Sequence, residues 1–147
     1  MNQDLHQQRL SGDDAALKSA LVGAKLPVDD LAEGGRSFYG FSDDDVIVGF
    51  GGLESYGDCA LLRSVVVMAD HRDRGFGEAI TRKLLAQAHD DGAKAVYLLT
   101  DTAAPFFKKL GFRTIARDAA PSAILATRQA ASLCPASAAL MARDLPA

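Results

Sequence analysis

Apolar positions recur first at helical spacing, then at the alternation of strands, then at helical spacing again. Residues 5 to 10 read as a short first strand. Asp13 and Asp14 open a helical stretch with Leu17, Leu21 and Val22 on one face, ending between Gly23 and Pro27. Asp29 to Glu33 reads as a further helical turn, closed by Gly34 and Gly35. Ser37 to Phe41, Val46 to Leu53 and Ala60 to Val67 are strand-like runs. The turn signals Ser42 to Asp45 and Tyr56 to Asp58 separate them and predict an antiparallel meander. Gly77 to Asp91 then carries Ala79, Ile80, Leu84, Leu85 and Ala88 on one helical face, with Arg82, Lys83 and Asp90 outside, and Gly92 ends it. Ala95 to Thr100 is a buried-type strand. Thr102 to Leu110 is a helix with Thr102 as its N-cap and Gly111 at its end. A strand begins at Phe112, Pro121 to Ala131 reads as helix, and Ala138 to Arg143 is a last strand. Strands on both sides of a β-helix-β-helix unit predict an α/β fold with a mixed sheet.

The chain has 147 residues, enough for one domain covering 1–147. Apolar residues are 48% and charged residues 24%, which predicts a globular chain. The net charge of -3 argues against nucleic acid as a partner. The apolar runs are too short to span a bilayer, and the polar start, Met1 to Gln8, lacks a signal-peptide pattern. Two cysteines, Cys59 and Cys134, make neither a disulfide framework nor a four-ligand site, so no metal is expected. The expectation is a soluble cytoplasmic protein with reduced thiols.

The feature that carries chemistry is Arg72-Asp73-Arg74-Gly75-Phe76-Gly77, between the strand ending at Val67 and the helix that follows. Glycines there permit positive φ and close approach of a ligand to the backbone. The helix start offers unpaired N–H groups and the positive end of its dipole, which together suit a pyrophosphate. A P-loop would need Gly-Lys-Ser/Thr, and Gly77 is followed by Glu78 and Ala79. A dinucleotide fingerprint needs a third glycine, and Ile80 stands in its place. On its own, an ordinary strand-to-helix turn would carry the same glycines.

The pattern R-x-x-G-x-G after an apolar strand and before an amphipathic helix resembles motif A of the GCN5-related N-acetyltransferases. Ala103 to Phe112 resembles their motif B, A-x-x-x-Y-x-x-x-G-F, in the right order and at the right separation. The resemblance covers residues 3 to 145. It implies a sheet of six to seven strands flanked by helices and splayed between the fourth and fifth strands. A narrower resemblance, to the arsenic-resistance-associated N-acetyltransferases of bacteria, rests on Gly52 to Asp58, Leu61 to Val67, Tyr97 to Thr100 and Ser132 to Ala138.

The superfamily resemblance implies acetyl-CoA as co-substrate, lying between the strands Ala60 to Val67 and Ala95 to Thr100. Val65, Val66 and Val67 would bond the acetyl and pantetheine amides. The turn Arg72, Arg74, Gly75, Phe76 and Gly77 would bind the pyrophosphate. An amine would attack the thioester directly, with a backbone N–H near Val66 or Val67 stabilising the oxyanion. Where some members place a glutamate on the fourth strand, this chain has Leu61. Glu54 and Asp58 are the nearest acidic candidates for a base, and a solvated turn pair is the alternative for both. Where motif B supplies a tyrosine to protonate the leaving thiolate, this chain has Phe107, which would instead touch the cofactor. Tyr97, Tyr56 or a water is the substitute, or the thiolate leaves unassisted. Thr100 stands where an asparagine is frequent, and would bond the pantetheine or simply end its strand.

Arg63 is a charge inside an apolar strand, and alternation puts it on the face of Leu61, Val65 and Val67. It would either orient an anionic acceptor or form an ion pair with Asp58 or Glu54. Arg128 is a weaker candidate of the same kind. Cys59 and Cys134 would meet trivalent arsenic if adjacent, or are buried hydrophobes. The resulting expectation is an N-acetyltransferase acting on a small, carboxylate-bearing primary amine. The alternatives are a protein or peptide acceptor, or a non-catalytic acyl-CoA-binding module. The resemblance also leaves room for a homodimer.

Overall fold

The computed structural model describes residues 5–127, 130 and 138–145. Strands β1 (His6–Leu10), β2 (Arg36–Asp43), β3 (Val46–Tyr56) and β4 (Cys59–Val67) form the expected antiparallel meander in chain order. The β2–β3 turn is tight because Asp44 and Asp45 both take positive φ, which a two-residue hairpin requires and aspartate tolerates. Helix α1 (Ala15–Gly23) lies between β1 and β2, and the Asp14 carboxylate caps it by accepting the Leu17 N–H at 2.9 Å. After β4 come a short 3-10 turn (Ala69–His71) and helix α2 (Phe76–Asp90). Strand β5 (Ala95–Thr100) then returns parallel to β4. Helix α3 (Ala104–Lys109), strand β6 (Arg113–Ile115), helix α4 (Ser122–Leu125) and strand β7 (Ala139–Asp144) complete a mixed seven-stranded sheet of order β1-β2-β3-β4-β5-β7-β6.

Two expectations about helical segments fail. Residues 29–33 are turns rather than a helical turn, with the Glu33 N–H bonded to the Asp30 carbonyl. The cap of α3 is Ala103, not Thr102, because Thr100 Oγ1 reaches forward to accept the Ala103 N–H at 3.0 Å. Of the expected helix 121–131, residues 122–125 are helical, and 128–129 and 131 lie outside the described residues.

Helix α2 covers one face of the sheet. Its Ile80, Leu84, Leu85 and Ala88 pack with Leu53, Leu62, Val96, Leu98 and Met141. Glycines in β3 allow the close approach: a Cβ on Gly51 would stand 2.4 Å from Leu84 Cδ1. Helix α1 packs Leu17 and Leu21 with Phe38, Phe50 and Val66 in a second cluster, on the opposite face. Further along that face Ile124 of α4 meets Leu61 and Leu140.

Strand β4 does not alternate regularly. Its pairing with β3 slips between Gly52↔Arg63 and Phe50↔Val66, and Ser64, with φ of 62°, sits in the slip. This bulge reverses the faces beyond it. Val65 and Val67 pack on the α2 side and Val66 on the α1 side, so Arg63 shares its face with Leu61 and Val66 rather than with Val65 and Val67.

Candidate functional site

Strands β4 and β5 pair only at Cys59↔Ala95, Ala60↔Val96 and Leu61↔Tyr97. Beyond Leu61 and Tyr97 they run on without pairing to each other, which leaves a V between Val65–Val67 and Leu98–Thr100. The glycine turn lies at its mouth. Gly75 takes φ of 81° and is the N-cap of α2. The first helical bond runs from the Ala79 N–H to the Gly75 carbonyl, so the N–H groups of Phe76, Gly77 and Glu78 have no acceptor within the helix. Arg72 Nε donates to the Val67 carbonyl at 3.1 Å. The Arg74 guanidinium lies over the Phe76 ring at 5.3 Å.

The two sequence motifs meet here. A Cβ on Gly77 would stand 3.3 Å from Phe106 Cζ and 3.7 Å from Val67 Cγ2, so α2, α3 and the end of β4 converge at this glycine. Phe107 is buried and packs edge-on against Phe106 and Phe112. Thr100 stands at the end of β5 with its hydroxyl engaged in capping α3.

One cross-strand row brings the catalytic candidates together. Arg36 pairs with Glu54, Glu54 with Leu61, and Leu61 with Tyr97. Directly opposed residues share a face and lie about 5 Å apart. Glu54 and Tyr97 therefore flank Leu61, one on each side, at the vertex of the V. The Tyr97 hydroxyl is held above its ordinary range by burial first, then by Cys59 and Asp144. Asp58 stays in the exposed turn. Tyr56, next on the same face of β3, donates its hydroxyl to Glu54 Oε1, and burial together with that bond raises its pKa.

Arg63 is engaged in ion pairs, with Glu54 as expected and with a partner that the sequence reading missed. Its Nη1 and Nη2 donate to the two carboxylate oxygens of Asp30 at 2.5 and 2.7 Å. Nη1 also donates to Glu54 Oε2 at 2.9 Å, and Nε to Ser64 Oγ at 3.1 Å. Arg36 Nε completes the cluster, 3.0 Å from Asp30 and 3.7 Å from Glu54. Burial alone would raise the Asp30 carboxyl, but the bonds and charge of Arg63, and then of Arg36, outweigh it and hold it below its ordinary value. The only sequence signal for Asp30 was Arg63 itself, since a buried arginine requires carboxylates.

Other candidates stand apart. Cys59 is buried, and its thiol is raised by burial and by Asp58. Cys134 and Arg128 lie outside the described residues. Among the described residues no group of three or more His, Cys, Asp or Glu is placed to hold a metal ion. No described helix is long and apolar enough to cross a membrane. A surface hollow lined by Leu85, His89, Asp90, Arg143 and Leu145 lies at the far end of α2 from the glycine turn and contains none of the candidate residues.

The sequence profile of the acetyltransferase (GNAT) family matches residues 10–112. The chain belongs to that family. No curated protein sequence matches it significantly. Among solved structures it is similar to an N-acetylglutamate synthase from Neisseria gonorrhoeae complexed with coenzyme A and L-arginine. The identity is 18% and the TM-score 0.77, over 96% of this chain and 33% of that one. The chain spans about a third of the length of the N-acetylglutamate synthase chains it resembles. It is also similar to a GNAT-family acetyltransferase from Staphylococcus aureus Mu50, at 19% identity and TM-score 0.70, over 97% and 99% of the two chains. A third is Rv2747 from Mycobacterium tuberculosis in complex with CoA, at 19% identity and TM-score 0.70, over 96% and 99%. These likenesses establish the GNAT fold.

Proposed function

We propose that the protein transfers acetyl from acetyl-CoA to the primary amine of a small molecule, by direct attack on the thioester. The β4–β5 opening with the glycine turn at its mouth carries this reading. The pyrophosphate lies on the amides of Arg72 to Gly77, where the start of α2 favours an anion, with Arg72 and Arg74 adding charge. Val65, Val66 and Val67 offer backbone groups to the acetyl and pantetheine amides. An N–H near Val66 or Val67 meets the oxygen that gains charge as the amine attacks. Phe107 and Thr100 border the pantetheine.

The amine approaches from the face that carries Glu54 and Tyr97. Their places on either side of Leu61 support roles around the reacting centre. Glu54 is buried with its two oxygens engaged by Tyr56 and Arg63, so the amine gives its proton to water, and Tyr97, kept neutral by burial, donates to the leaving thiolate. Arg63 acts on the acceptor side only by holding Asp30, Glu54 and Ser64 in place, because its own donors are engaged. The resemblance to arsenic-resistance-associated acetyltransferases favours an amino-acid-like acceptor with a carboxylate, an arsenical among them. An N-acetylglutamate synthase among the structural neighbours supports the same class by analogy. The proposal includes work in the cytoplasm and a homodimer.

Leu61 and Phe107 favour the rival reading, an acyl-CoA-binding module without turnover. Titrating acetyl-CoA while following free thiol release with a panel of amines separates the two. The transferase reading expects thiol release that depends on one amine class. Tight binding with no release for any amine, peptides included, would leave the rival.

A further inference from the structure

We propose that Asp30 is a positioning residue for acetyl transfer, acting through Arg63 on the β4 bulge at Ser64. The proposal rests on the reading above, in which the Val65–Val67 backbone receives the thioester. Ser64 takes φ of 62°, a region that serine enters only where its surroundings hold it. The bulge decides which face each of Val65, Val66 and Val67 presents, and so which backbone groups are directed into the β4–β5 opening. Ser64 Oγ is held by Arg63 Nε at 3.1 Å. That guanidinium is fixed in turn. Asp30 grips it fork on fork at 2.5 and 2.7 Å, Glu54 takes Nη1 at 2.9 Å, and its carbon lies 5.4 Å from the centre of the Phe38 ring. A bidentate pair sets the plane of the guanidinium and therefore the aim of its Nε–H.

Asp30 comes from the turns between α1 and β2, 33 residues before Arg63 in the chain. Arg36 Nε donates at 3.0 Å to the Asp30 oxygen that also accepts from Arg63 Nη1. The side chains of Asp30, Glu54 and Arg63 are 1% exposed or less, so water does not compete for these bonds. The segment that lies over the acceptor face is thus tied by one carboxylate to the bulge that shapes the cofactor opening. A clamp that served only to hold the fold would change stability and leave the chemical step alone.

The test measures kcat and both KM values by thiol release, at a temperature where each variant is folded. Asp30→Asn keeps the shape of the side chain and loses the fork. It should lower kcat by about tenfold or more, on the scale of a misaligned backbone donor. The KM for acetyl-CoA should stay within about threefold, because the pyrophosphate end is untouched. Ser64→Gly adopts positive φ freely but has no hydroxyl to hold, and should also lower kcat. In that background Asp30→Asn should cost less than about twofold more. An unchanged kcat in Asp30→Asn, or the same cost in both backgrounds, overturns the proposal. If Asp30→Asn does not fold, Ser64→Gly decides alone, and an unchanged kcat refutes it. If the wild type releases no thiol with any amine, the transferase reading fails separately. The amide shifts of Val65 and Val66 then decide: a change in Asp30→Asn supports the tie to the bulge, and unmoved shifts refute it.

Discussion

Residues 72–77 and the cluster of Asp30, Arg36, Glu54 and Arg63 both touch β4, and they handle charge in opposite ways. The turn is built from consecutive residues. It presents backbone N–H groups at the start of α2 and exposed arginines around them. The cluster draws one residue each from a loop and three strands. It sets two guanidinium groups against two carboxylates, all with side chains 8% exposed or less. The turn leaves N–H groups without acceptors within the helix, as the proposed anion site requires. The cluster's charges are already paired with one another.

The largest expected effect tests that closure. Arg63→Met leaves Asp30 and Glu54 buried together with Arg36 as their remaining cation, and should cost about 3–5 kcal/mol in urea unfolding. A loss below about 1 kcal/mol would mean that the cluster behaves like an exposed ion pair. Next comes the turn. Gly75→Asp puts a carboxylate where an anion is proposed to sit, and should weaken acetyl-CoA binding about a hundredfold, since opposed like charges cost several kcal/mol. Folding should survive, because aspartate tolerates left-handed φ. Undiminished affinity, measured by calorimetry, would break the placement.

The pH dependence sharpens the contrast further. Burial works to raise the Asp30 carboxyl, but Arg63 and Arg36 prevail, so the folded value lies below the ordinary 3.8. The stability it contributes is complete above 3.8 and is lost as the pH falls past that value and through the lower folded one. From about pH 5 to about pH 3, the urea midpoint of Asp30→Asn should therefore fall less than that of the wild type. An equal fall would remove Asp30 from the acid response. The smallest effect is expected from Phe107→Tyr, which offers a proton donor where motif B usually has one. A rise in kcat of a few-fold, roughly, would show a leaving group that gains from help. A fall in kcat with lower stability would make Phe107 a packing residue only.

The contrast also explains what could be read from the chain alone. The meander, α2 and the parallel return of β5 follow from local period and turn residues. The glycine turn could be read because its pattern lies in six adjacent residues and their backbone. Asp30 could not be, since it looks the same in sequence as its neighbour Asp29 until the fold brings Arg63 to it. The bulge left no trace either. A serine in a valine-rich strand gives no sign of positive φ, and strict alternation then placed Arg63 on the wrong side of Val65 and Val67. Leu61 looked like a missing catalytic group. Its neighbours across the sheet, Glu54 and Tyr97, become visible only through register.

The three β4–β5 rungs have a mechanical consequence. The sheet is two plates, β1–β4 and β5-β7-β6, riveted together along a short seam near the β3–β4 turn. Helix α2 lies against β3 and β4, and its Leu84 and Leu85 belong to a core that also takes in Val96, Leu98 and Met141 of the other plate. With three rungs at the seam, core packing shares in setting the width of the gap, so a change in the packing of α2 should alter the opening without breaking a rung.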